Sequence, residues 1–208
     1  MKYKIRLFAF YLATSCSTLI HATTGGPEKI EILGLDKADY KIYFTRNYYD
    51  ESNRPPTLYY FSLNKKNSNI PIEVKSIYKN IKNNDSDQTI RIENEINKIK
   101  RRLITVTELT NTKASIRIIK DYKKSGPFWL NDAEEVITKF TQEYIVINHS
   151  FISKTQKSTS YSSPKINILN LHSIPTNDNK YQIAIVQYLG IPTELGYMIE
   201  DAILLSPK

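Results

Sequence analysis

The chain has 208 residues, with 29 Lys plus Arg against 21 Asp plus Glu, a formal net charge of +8 and a single Cys. At 40% hydrophobic and 24% charged it is neither collagen-like nor a disulfide scaffold, and its length suits one domain with its own core. No Cys follows residue 16, which excludes thiol catalysis, Cys-based zinc sites and disulfide bracing from the rest of the chain.

Residues 1–22 read as an export signal. Lys2, Lys4 and Arg6 form a positive start, Leu7 to Ala13 is an apolar run, and Ala22 is the small residue before a cut. The run is far short of the roughly 20 residues that a membrane-spanning helix needs. Residues 23–208 are then expected to be a single β-rich domain, periplasmic or secreted. In a second reading, Ala13-Thr14-Ser15-Cys16 resembles a degenerate lipobox, with Ala13 where Leu is usual. Cys16 would then be lipidated and the protein anchored at the envelope, the sole membrane association expected.

The rest of the chain reads mostly as strands. Residues 29–33, 40–46 and 57–63 have the alternation and the aromatic or β-branched content of a three-stranded meander. Asn53 and Pro55-Pro56 mark a loop before the third. A fourth strand is predicted over 70–78. One helix is predicted over 86–103: Ile92, Ile96, Ile99 and Leu103 make a single stripe, Asp85 and Gln88 resemble a capping box, and bases gather at its end. Strands follow at 103–109, 115–122 and 136–148. Residues 150–164, with eight Ser or Thr, read as a loop; 165–172, 181–189 and 202–205 complete the strands. The meander resembles one propeller blade, but no later segment repeats it, so a propeller is rejected. The fold class expected is α+β and β-rich: about eight or nine mostly antiparallel strands in a sandwich or an open curved sheet, plus the amphipathic helix.

Charge is uneven. Residues 64–124 have fifteen basic and seven acidic groups, so the mature surplus lies in the middle third. Such a band can favour nucleic acid, anionic headgroups or an acidic protein. No nucleic-acid-reading motif accompanies it, and nucleic acid is not expected as a partner of an exported chain. The Lys98-to-Arg102 run is read as a helix terminus.

The densest polar-aromatic cluster is Arg46, Tyr48, Tyr49, Asp50, Glu51 and Arg54, the first choice for a ligand-binding loop. Its two carboxylates could do acid–base work or simply pair with the arginines. His149 and His172 are placed at opposite ends of a strand pair, which does not make a site. Gly190 to Gly196 reads as a shaped turn. Nucleophile-elbow, P-loop, zincin, EF-hand and dinucleotide motifs are absent, and no catalytic residue, metal or cofactor is assigned. The expected function is non-enzymatic binding of an envelope protein or glycan through loops and aromatic surface, suited to a chain with 15 Tyr. Two alternatives stand beside it: a carboxylate-dependent hydrolase, and an envelope inhibitor or immunity-type protein with a basic binding face.

Overall fold

The structure is a computed structural model that describes residues 26–50, 54–64, 69–79, 88–110, 112–126, 136–177, 180–191 and 196–208. The signal segment, Cys16, Glu51 and Asp85 lie outside the described residues.

The aromatic meander forms as its alternation predicts. β1 (Glu28–Asp36), β2 (Lys41–Tyr48) and β3 (Thr57–Ser62) pair antiparallel in sequence order. Ile42, Phe44 and Phe61 point to one face, where the two Phe rings stack at 5.2 Å; Tyr43 and Leu58 point to the other. That second face is covered by α1 (Gln88–Lys100), the one α-helix among the described residues, which buries Ile92 and Ile96 and partly buries Ile99, with Leu103 packing just beyond its end. All four residues of the predicted stripe therefore reach the core.

Two expected strands shrink. Over 70–78 only β4 (Ile72–Glu73) pairs with β3, and Lys75–Tyr78 is a 3₁₀ turn. Val74, Ile77 and Tyr78 all pack beneath α1, at the i, i+3, i+4 spacing of a helical turn rather than a strand. The Tyr78 hydroxyl donates to the Pro56 carbonyl (3.1 Å) and accepts from the Leu58 amide (2.9 Å), and burial pushes it up to about 12. Over 103–109, Ile104 forms one antiparallel bridge to Leu35, and only β5 (Thr107–Glu108) joins the sheet as a strand. The bridge passes so close to Gly34, at φ 140°, that a Cβ there would lie 2.5 Å from the Ile104 carbonyl oxygen. Only glycine fits this bulge without strain.

The Ser-rich segment holds the largest departure. Between β6 (Ser115–Gly126) with β7 (Ile137–Asn148) and the later strands, residues 150–164 contribute β8 (Phe151–Ser153) and β9 (Gln156–Tyr161), both paired with β7. Ser158 and Ser160 are buried while Lys157 is exposed, so the strand alternates in burial without alternating in hydrophobicity. Small side chains suit a strand that runs close beside a neighbour, and β9 packs against β11 (Gln182–Ile191).

With β10 (Ile166–Ser173) and β12 (Tyr197–Pro207), the described strands form one twelve-stranded sheet. Its main path runs β4-β3-β2-β1-β12-β11-β10-β5, with β6 to β9 attached through β7 and β8. Pairing is antiparallel except where β1 meets β12 in parallel at Glu28 and Ile199. The result is an open, curled mixed sheet, half of a barrel, with one α-helix among the described residues. Alternation along β11 separates its cores: Ile183 and Ile185 join the β1–β3 aromatics inside the curl, while Ala184 and Val186 face Tyr144 and Val146 of β7. Among the described residues no helix is long and apolar enough to cross a membrane.

Candidate functional site

The cluster proposed from sequence divides in two. Asp50 and Arg54 form an ion pair at 3.0 Å, and the Arg54 guanidinium lies 3.5 Å from the Tyr48 ring centroid. The Tyr48 hydroxyl shares a hydrogen bond with Thr57 (3.2 Å), and Tyr49 stands exposed with the Lys29 ammonium 5.4 Å above its ring. The loop is held down by the Tyr49 amide donating to the Pro27 carbonyl, and by Gly26, where a Cβ would strike the Tyr49 carbonyl oxygen at 2.3 Å. Asp50 is thus a paired carboxylate on a clamped loop.

Arg46 belongs elsewhere. From β2 it donates to Glu28 of β1 (2.6 Å) and to Asp201 of β12 (2.5 Å), and Tyr188 of β11 donates to the other oxygen of Asp201 (2.8 Å). Burial works against the Arg46 charge, but Asp201 and Glu28 outweigh it and hold the guanidinium above its ordinary range. Burial first, then the Asp201 charge, push the Tyr144 and Tyr188 hydroxyls up. Next door, Glu200 accepts from the Ile30 amide (2.9 Å). These groups tie β1 and β2 to β11 and β12 at the one parallel junction of the sheet. Every carboxylate in the knot has a donor, which is the arrangement of a structural junction rather than of a poised acid or base.

The histidines are not held apart as expected: Asn148, beside His149, donates to Gln182 (3.0 Å), which pairs with Ser173 beside His172. β8 and β9, rather than β10, pair with β7, so the strand pair expected to separate His149 and His172 does not exist. His149 turns the chain at φ 50° and is exposed. His172 faces Glu108 across the β10–β5 pairing; burial pushes its imidazole below the ordinary value, against the pull of Glu108. Among the described residues no three His, Cys, Asp or Glu side chains gather as a metal site would require. A groove of about 200 Å³ between α1 and β1 is bordered by the Lys100–Glu31 ion pair (2.8 Å), and wider hollows of about 330 Å³ beside Asp36 and Arg102 and about 580 Å³ beside Asn94 and Arg101 lie open on the surface.

What stands open is β6. Its twelve residues pair with β7 on one side and, among the described residues, with no strand on the other. Nine successive side chains, from Arg117 to Ser125, are exposed, as is Ser115, leaving only Ile116 and Gly126 partly covered. Ile118, Ile119 and Tyr122 are 42%, 47% and 58% exposed, the densest run of exposed large apolar side chains on the described surface. Four bases, Arg117, Lys120, Lys123 and Lys124, stand among them against one acid of the strand, Asp121, and Lys120 pairs with Glu143 of β7 (3.1 Å).

Known relatives do not decide the matter. Compared with protein families, characterised proteins and solved structures, the chain matches none. The site must be read from its own chemistry.

The helix terminus and β6 also divide the basic band. Lys98 pairs with Glu95 (2.6 Å), Lys100 with Glu31, and Arg102 with Asp36 (3.0 Å), so much of the helix-end charge is matched within the fold. Sequence reasoning found β6 as a strand but missed it as a site. The available signal was its charge parity: bases at both odd and even positions leave neither face dry.

Proposed function

We propose that this chain is a non-enzymatic binding protein of the bacterial envelope and that it engages its partner through the outer edge of β6. The carrying observation is the long outer edge itself, a twelve-residue strand with no strand beside that edge among the described residues, set with bases and exposed Ile and Tyr. Edge strands are templates for pairing, and folds ordinarily shorten, cover or twist them away. Exposed apolar side chains beside such an edge mark an interaction surface. Export rests on the layout from Lys2 to Ala22, and the periplasm or exterior is the compartment that goes with it. The paired state of Asp50, and the donor found for each carboxylate of the Arg46 knot, favour binding over carboxylate-dependent hydrolysis.

The immunity- or inhibitor-type reading is a special case of the same surface, favoured by the basic residues of β6. A photo-crosslinking amino acid placed at Ile119 or Tyr122, with control positions at Ile90 on α1 and Leu169 on β10, tests the proposal in cells that export the protein. A discrete adduct at the β6 positions, absent at the controls and lost on Arg117→Glu with Lys120→Glu, is expected. Adducts at all four positions alike, or at the controls alone, would overturn it.

A further inference from the structure

We infer that the occupant of the β6 edge is an extended acidic segment of a partner protein, added to β6 as a further strand. The inference rests on the reading of β6 as the binding face and names what that face takes. Three features of the edge select the occupant.

The first is the backbone. A twelve-residue strand offers roughly 40 Å of alternating N–H and C=O groups, and another peptide backbone satisfies both kinds at the strand repeat. A polyanion without amides would answer the side-chain charges and leave the ladder unpaired.

The second is the division of charge between faces. Arg117, Lys120, Tyr122 and Lys124 stand opposite Ile145, Glu143, Thr141 and Lys139, while Ile116, Ile118, Asp121 and Lys123 stand opposite Val146, Tyr144, Gln142 and Phe140. A register shift between Ile118 and Lys120 makes this division: without it Lys120 would share the face of Ile118. The Lys123 ammonium, 5.8 Å from the Phe140 ring, confirms that those two share a face. The outer face of β6 therefore carries three bases and one tyrosine, Lys120 among them paired with Glu143 of β7, and the inner face carries Ile118. Ile118 lies beside the fully buried Tyr144 yet is itself well exposed. An added strand with acids at alternate positions would set one against Arg117 and others beside Lys120 and Lys124, on a face that holds more bases than acids even with Lys120 paired to Glu143. Its intervening apolar side chains would cover Ile118.

The third is what the edge excludes. Pairing with a second copy would set four bases and one acid against the same set, and like charges on adjacent strands repel. The bases that deter self-association leave the edge open to a segment of opposite charge.

Two fluorescent decapeptides of alternating Glu and Val test this, one unmodified and one N-methylated at every residue to remove the backbone donors of both edges. Binding is read by anisotropy at low and raised salt. The unmodified peptide is expected to bind wild type, to weaken with salt, and to lose roughly tenfold, about 1.4 kcal/mol, on Arg117→Glu with Lys120→Glu. Arg101→Glu on the helix end is expected to leave binding unchanged, and circular dichroism checks that each variant is folded. The N-methylated peptide is expected not to bind. Equal binding of both peptides, or of an oligothymidylate of the same charge, would overturn strand addition while leaving β6 as a basic binding face. Binding indifferent to the β6 substitutions would overturn both. A concentration-dependent dimer in sedimentation that dissolves on Arg117→Glu would overturn the acidic partner in favour of a second copy.

Discussion

At the scale of single residues, the fold depends on a few polar side chains whose surroundings set opposite expectations. Replacing Arg46 by Met would leave Glu28 and Asp201 facing each other without a cation. Because all three keep about a fifth of their surface in solvent, the loss of stability is expected near about 3 kcal/mol, the low end for a broken buried pair, measured by urea unfolding. Tyr188→Phe removes one hydrogen bond to a carboxylate and is expected to cost about 2 kcal/mol. Tyr144→Phe removes a buried hydroxyl with no hydrogen-bond partner and is expected to be neutral or stabilising in the same assay. His172 gives the pH dependence. Its folded-state pKa lies below the ordinary value of about 6.5, so the unfolded chain takes up the proton first as pH falls. Its share of stability is present above that value and is lost as pH drops through the depressed folded pKa. The urea midpoint of wild type is therefore expected to fall more between about pH 7.5 and about pH 5 than that of His172→Gln. The contrast between the two arginines marks what was legible at this scale. Arg54 meets Asp50 four residues away, which the sequence suggests, whereas Arg46 meets Asp201 across 155 positions, which only the fold can bring about.

At the scale of elements, strong periodicity was readable and topology was not. The meander and the helix stripe carry apolar residues at spacings of two and of three or four, and both formed where that pattern predicts. β9 escaped because its buried positions are serines, so burial alternates without any hydrophobic signature. The 3₁₀ turn over Lys75–Tyr78 escaped because a β-branched stretch was weighed by composition rather than by its helical spacing. β6 was recognisable as a strand, but being an edge is a property of its neighbours, which no local pattern states. The junction of β1 with Ile104 gives an element-scale test. Gly34→Ala forces a side chain into a positive φ beside the Ile104 carbonyl and is expected to cost about 2 kcal/mol in urea unfolding. The neighbouring exposed Lys37→Ala is expected to change little.

At the scale of the whole molecule, the surplus positive charge counted in the sequence becomes two separate things. Around α1 it is matched in part by Glu95, Glu31 and Asp36; on β6 Glu143 matches Lys120, and the strand's bases lie along a side with no further strand among the described residues. The curled sheet supplies a rigid support for that strand through β7, whose Tyr144 and Val146 are fully buried. A partner segment would extend a sheet already in place, with little reordering of the host. Amide hydrogen exchange across the whole protein, with and without the Glu-Val decapeptide, tests this most directly. Without peptide, the β6 amides that point away from β7 are expected to exchange fast while their neighbours, bonded to β7, exchange slowly. With peptide, the outward amides of 115–126 are expected to slow and the rest of the sheet to stay unchanged. Protection confined to the 46–54 loop or to α1, or outward β6 amides already slow without peptide, would contradict the assignment of β6 as the binding edge.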